Sequence, residues 1–489
     1  MIRRLCSVLV LIGLVAGCSS PRPAPPGAAP DLGRALAGKV TADGMFTHLH
    51  ALQDIANANK GNRAEGTPGY DASVEYIAKA LRSKGFEVSM PEFDRLIAVA
   101  PGKPSLTIAG STYSVDQASL LVRTPPGGLS GQPVAPTQPS GCAPGDYPAA
   151  LPAGAIAVVN DARCSVVDKQ NSARDKGAAA LIVVSASTGQ GAPPTLFTPG
   201  YYKQLTMPVA VVGSYGGSAL TNATARVRLV LDAENVKITS RNVLAQTKTG
   251  STDDVIVVGA HLDGPRSGPG INDNGSGVAA VLETALQLGP LAPVNDAVRF
   301  VFWGADEDGL NGVMDYVFGL DDEQLNDIAM YLNFNLLGSP NAGFFTDDGD
   351  QSGPPGQGVA AGDVPEGSAG IERTLSGYLN LAGKRPADMP LGTRTDYHPF
   401  MVAGVPIGGM STGASQLKTP VQARLWGGKA GVGFDPNFQS PRDTIDNINR
   451  EALAVMGSGV AYAVGSYAMS ISGVNGVPPH DKRHRPRLP

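Results

Sequence analysis

Two short stretches of this chain hold residues suited to binding a metal and moving a proton. His261-Leu262-Asp263 and Gly270-Ile271-Asn272-Asp273-Asn274-Gly275-Ser276-Gly277 bring an imidazole and two carboxylates within thirteen residues. An imidazole that ligates a metal usually donates its other N–H to a carboxylate, and Asp263 is placed to receive it. A second cluster, Phe302-Trp303-Gly304-Ala305-Asp306-Glu307-Asp308-Gly309-Leu310, sets three acids in a row. Of two adjacent carboxylates, one can hold a metal while the other takes a proton from water, the division of labour in metal-assisted hydrolysis. Alone, the first motif also reads as turn chemistry and the second as an acidic helix start. Together, each following an apolar run, they point to a metal centre.

The runs that must position them read as strands over Asp254–Ala260, Ala297–Trp303, Ile328–Phe334 and Val405–Met410, alternating with helices over Ser276–Leu288, Asn311–Phe318 and Arg450–Ser470. Alternation of this kind predicts an α/β fold, a mostly parallel sheet flanked by helices. Ligands then bind beyond the carboxyl ends of the strands, where His261, Asp306, Glu307 and Asn335 fall. Upstream, Thr47 to Val88 reads as two helices split by Gly61 to Tyr70, the second spanning Asp71 to Lys84 and closed by Gly85. From Lys103 to Val236 the pattern changes to short β-rich runs, among them Ala155–Val159, Ala179–Ser185 and Val209–Val212, as in an inserted domain. The last helix is apolar enough to suggest a membrane span, but Gly457, Gly459, Gly465 and its serines favour a helix buried on the sheet.

With 489 residues, 42% hydrophobic and 17% charged, the chain has the composition of a folded protein, and disorder, collagen and coiled coil are excluded. Met-Ile-Arg-Arg, then an apolar run from Leu5 to Ala16, matches an export signal. Leu14-Val15-Ala16-Gly17-Cys18 resembles the bacterial lipoprotein box, which makes Cys18 a lipid anchor on the outer face of the cell membrane and Pro21 to Pro30 a stiff spacer. Cleavage moves the formal charge from −5 to −7 by removing Arg3 and Arg4, which disfavours nucleic acid as a partner. Cys6 leaves with the signal, so Cys142 and Cys164 remain, and outside the cytoplasm they are expected to pair.

Taken together the motifs resemble the co-catalytic zinc aminopeptidases of the aminopeptidase Y type, including secreted actinobacterial leucine aminopeptidases. The likeness runs through Asn62-Arg63 to Gly69-Tyr70, Gly259 to Asp263, Gly270 to Gly277, Phe302 to Gly312, Asn333 to Asn341, Arg394-Thr395-Asp396-Tyr397 and Phe434-Asp435-Pro436. Lys103 to Val236 looks like the protease-associated domain found in some members, and the layout is most similar to mycobacterial aminopeptidase lipoproteins. The resemblance implies two zinc ions, with His261, Glu307 and a bridging Asp273 among their ligands and Asp306 as general base. The family has glutamate at the base position, so Asp306 draws the carboxylate back by one methylene. Asn335 stands where the family has a ligand aspartate. Phe438-Gln439 stands where it has Tyr-His, so an oxyanion-stabilising phenol and a ligand histidine are both replaced. Of the other histidines only His398 lies near a family motif, and it is expected to be a solvent-exposed loop residue.

The expected organisation is a signal peptide over 1–17, a lipidated cysteine and proline-rich linker over 18–38, a peptidase domain over 39–102 and 237–472 interrupted by the protease-associated insertion at 103–236, and a basic, disordered tail over 473–489. The expected function is removal of N-terminal residues from peptides, weak or lost because the two-metal site is degraded. The alternative is an inactive relative that binds peptides or a protein partner. A single-zinc glutaminyl cyclase also resembles the chain, but it needs the histidine that Gln439 replaces.

Overall fold

In a computed structural model the described residues are 31–185, 196–198, 200–223, 225–356, 358–360, 362–473 and 476–486. The chain divides into two units, Met1–Ser89 with Val243–Pro489, and Met90–Asn242. Cys18 and the spacer from Pro21 to Pro30 lie outside the described residues.

The first unit is built on eight strands: β1 (Val88–Ser89), β2 (Val243–Gln246), β3 (Ser251–His261), β4 (Asp296–Trp303), β5 (Ile328–Phe334), β6 (Phe345–Asp347), β7 (Ala387–Met389) and β8 (Ile407–Ser411), in spatial order β1-β2-β4-β3-β5-β8-β6-β7. The four central strands β4, β3, β5 and β8 are parallel. Such strands are covered on both faces, which is why β5 is buried at every residue and its sequence is a near-continuous apolar run, interrupted at Asn333, rather than alternating. On one face Trp303, Tyr331 and Phe400 form the centre of the core against helices Asn311–Phe318 and Tyr397–Val402, with Tyr331 and Phe400 stacked at 4.2 Å. Helices Ala42–Ala58, Gly277–Leu288 and Arg450–Tyr467 pack together elsewhere on the unit.

The glycines of the last helix have a packing reason. A Cβ on Gly465 would lie 2.8 Å from the Cα of Gly33, and one on Gly457 would lie 2.3 Å from Met45 Sδ, so two neighbouring helices approach the backbone closely. Among the described residues no helix is long and apolar enough to cross a membrane.

Two terminal expectations need correction. Leu32–Ala37 is helical and packs on the last helix, so the unit begins inside the stretch read as linker. The described tail residues 476–486 are not disordered: Arg483 Nη1 donates to Asp253 O and Asn326 O at 2.9 and 2.8 Å, Arg483 pairs with Asp254, and Arg485 Nη2 donates to Ile328 O at 2.5 Å. Charged side chains in this tail serve as hydrogen-bond donors to backbone carbonyls, a role composition does not reveal.

The second unit has a five-stranded sheet centred on Ile156–Asn160, Ala180–Ser185 and Val209–Gly213, and a four-stranded sheet that includes Ser105–Ile108 and Val227–Val230. Antiparallel pairing of Glu92–Ala100 with Glu234–Arg241 carries it beyond the 103–236 span read from sequence on both sides. Cys142 and Cys164 are joined by a disulfide. Nearby, the buried Lys169 ammonium donates to Ser140 O and Ala162 O at 2.8 and 2.6 Å.

Candidate metal centre

The site is assembled where β3, β4 and β5 end. His261 is the last residue of β3 and is 2% exposed. Its Nδ1 lies 3.0 Å from the backbone oxygen of Asp263 and 3.8 Å from that residue's carboxylate. The orienting acceptor is therefore the Asp263 carbonyl, not the carboxylate expected from sequence. The carboxylate has other work: Oδ1 accepts from Asp306 N at 3.2 Å and Oδ2 from Glu307 N at 3.1 Å, fixing the turn after β4. Ala305 in that turn has a left-handed φ of 56°, as does Leu336 after β5 with 58°, so strained backbone gathers around the site.

With Nδ1–H given to a carbonyl, His261 Nε2 faces the cavity. It lies 3.6 Å from Asp273 Oδ1, 4.0 Å from Asp306 Oδ2 and 3.3 Å from Asn335 Nδ2. Asp273 is held by its backbone, whose N–H donates to Asp443 Oδ2 at 3.0 Å, while the preceding Asn272 N–H donates to Asp443 Oδ1 at 2.9 Å. Arg63 locks the same loop from below. Fully buried, its guanidinium donates to Leu262 O, Pro269 O and Gly270 O at 2.6, 3.0 and 2.6 Å. Arg63 and Asp443 were not singled out from sequence; Arg63 sat within the Asn62-Arg63 match, but its three-carbonyl role depends on a loop two hundred residues away.

The electrostatics are those of crowded acids. Burial pushes Glu307 up to about 8, helped by Asp273, and holds Asp306 well above the usual carboxylate range, with Asp396 and Asp263 adding repulsion. Burial alone would depress His261, but Asp306, Asp273 and Asp263 outweigh it and raise its pKa well above the usual value. Arg63 is lowered to about 10 by burial despite Asp263, Asp443, Asp273 and Glu307 around it. A cation entering this space relieves both the repulsion and the desolvation.

Four side-chain oxygens support a cation here. Asp273 Oδ2, Asp306 Oδ1, Glu307 Oε1 and Asn335 Oδ1 are buried with no hydrogen-bond partner. All four are acceptors, three are acidic, and leaving them bare costs free energy that a metal ion offsets. The donor set thus fits a metal beside His261. It is poorer for a second ion, because Gln439 turns its amide nitrogen to Glu307 Oε2 at 2.9 Å and Phe438 brings only a ring to the cavity wall.

The cavity in front of these groups measures about 1100 Å³ and is also lined by Asn333, Asp347, Met389, Arg394, Tyr397, His398 and Met410. His398, expected in an exposed loop, instead lies in the first turn of the helix Tyr397–Val402 and is half-buried on the cavity wall, its pKa lowered by burial. Asp396 behind it is fully buried and reached by the Tyr331 hydroxyl at 3.3 Å, which also accepts from Trp303 Nε1 at 2.8 Å. A separate trio, Asp348, Asp350 and Glu372, has carboxylate oxygens converging within 4.8 Å.

Residues 242–464 match the model of peptidase family M28, and residues 129–220 match the PA domain. The chain is 46% identical over 484 residues to the probable lipoprotein aminopeptidase LpqL of Mycobacterium tuberculosis, covering 97% of this chain and 95% of that one. It is 37% identical to an aminopeptidase of Pseudomonas aeruginosa over 88% of this chain and 81% of the other. Among solved structures, a zinc aminopeptidase from Bacillus subtilis aligns with a TM-score of 0.49 and 23% identity, over 89% of this chain and 97% of that one.

Proposed function

Because the chain belongs to peptidase family M28, we propose that it is an exported, lipid-anchored protein of the aminopeptidase type whose cleft receives peptide N-termini and whose two-metal site is degraded, leaving hydrolysis weak or lost. The similarity to a lipoprotein aminopeptidase and the sequence around Cys18 support the anchor and its placement on the outer face of the membrane. The carrying observation is the set of four bare buried oxygens around His261, interrupted by amides at Asn335 and Gln439.

His261, Asp273 and Asn335 would hold one zinc ion, and Asp273, Glu307 and Gln439 the other. A bound zinc supplies Lewis acidity toward a peptide carbonyl. The chain's own contribution is a base, Asp306, close enough to His261 to share its field yet a methylene shorter than glutamate, and proton transfer is sensitive to such a displacement. Asn335 and Gln439 offer neutral oxygens that suit hard cations better than zinc. Phe438 has no hydrogen to donate to a developing oxyanion, a donor worth roughly 3–4 kcal/mol where one has been removed. These losses compound, and the Gln439 contact to Glu307 favours the second reading, a cleft that binds without cutting.

Restoring the site is the test. Asn335→Asp, Phe438→Tyr and Gln439→His in one chain should raise zinc retention and increase hydrolysis of leucine 4-nitroanilide at least ~100-fold. A restored chain that gains neither would refute the assignment of these positions.

A further inference from the structure

The cleft contains a buried acid that the metal centre does not use. Asp347 ends β6, lines the cavity and is 8% exposed, and its Oδ2 has no hydrogen-bond partner. Its position follows from the sheet. Thr346 pairs with Met410 and Gly409 pairs with Asn333, so Asn333, Gly409 and Asp347 form one row across β5, β8 and β6. Gly409 makes the row possible, since a Cβ there would stand 2.7 Å from Asp347 Oδ2. Asn335, two residues beyond Asn333 and just past the end of β5, belongs to the metal centre. Two strand spacings and one two-residue step put the Cα atoms of Asn335 and Asp347 roughly 12 Å apart. A residue whose α-amine sits at the metal end can extend a long side chain over that distance.

The walls suit such a side chain. Met389, directly opposite Asp347 on β7, and Met410 line the same cavity and offer flexible apolar surface to an alkyl stem. Nothing cationic compensates the carboxyl: among the described residues it makes no ion pair, and Arg394 and His398 on the cavity wall do not reach it. Burial, with Asp396 and Glu372 nearby, raises its pKa to about 7. An apolar sleeve ending in an unpaired buried acid is complementary to an apolar stem ending in a cation.

We propose that Asp347 is the specificity-determining residue of this cleft and selects peptides whose N-terminal side chain is lysine or arginine. This rests on the reading of the cleft as a receptor for peptide N-termini. The test compares Lys-Gly with norleucyl-glycine, which has a similar stem without the ammonium, by calorimetric binding to the full chain at pH 8 with zinc present. Lys-Gly should bind at least ~10-fold tighter, the ratio should fall to near one in Asp347→Asn, and Asp347→Glu should restore much of it. Equal binding of the two dipeptides to the native chain, or a ratio unchanged in Asp347→Asn, would overturn the assignment while leaving peptide binding intact. Absence of binding by either dipeptide would overturn both readings at once.

Discussion

Arg63 is the residue whose removal should cost the first unit most for the least change in volume. Its guanidinium is fully buried, satisfies three loop carbonyls and faces Asp263, Asp273, Glu307 and Asp443. In Arg63→Met the aliphatic stem is kept, but three buried acceptors lose their donor and four acids lose a cation. Each charge-assisted hydrogen bond contributes about 1.5–3 kcal/mol, and breaking a buried charge arrangement by deleting one partner costs about 3–5 kcal/mol. The contributions overlap, so a loss near 3–5 kcal/mol is expected. Arg63→Lys should fall between, because an ammonium cannot span the planar fork formed by Leu262 O, Pro269 O and Gly270 O. Urea unfolding followed by the fluorescence of Trp303, buried in the same unit, reads the effect. A cost below about 1 kcal/mol for Arg63→Met would refute the claim that this guanidinium holds the metal-site loop in place.

Asp296 is buried beside Asp254, and burial raises its pKa to about 6, above the unfolded value. Its stabilising contribution is therefore full below about pH 4 and lost as pH rises through 6. Asp296→Asn should stabilise the protein by about 1–2 kcal/mol at pH 7.5 and by less at pH 5, as thermal scans at the two pH values will show; equal shifts would contradict the assignment. In the second unit, replacing Cys142 and Cys164 by alanine opens a loop with sequence separation 22, for an expected loss of about 3 kcal/mol. Unchanged proteolytic resistance of that unit would count against it.

Most of the fold was legible because its central strands are apolar on both faces, and a run such as Ile328–Phe334 has few other homes. The positions of His261, Asp306, Glu307 and Asn335 followed from that alone, at the carboxyl ends of parallel strands. The orienting partner of His261 did not, because a carbonyl is present at every residue and its direction depends on the turn. Asp347 was missed for a related reason. Its strand has three residues, it joins the sheet antiparallel to β8, and the Phe-Thr-Asp sequence looks like any loop edge. His398 was expected in an exposed loop; the six-residue helix Tyr397–Val402, anchored by its own buried Phe400, places it on the cavity wall. The tail's arginines likewise gave no sign of the carbonyls they cap.

On the proposed function, the metal site keeps its carboxylates and one imidazole but lacks the ligands that make two zinc ions tight. Elemental analysis of the purified chain after zinc incubation and desalting measures this directly. At most one zinc per chain is expected, reduced further in Asp273→Asn. Two zinc ions retained per chain would contradict it, showing that Asn335 and Gln439 complete a working centre.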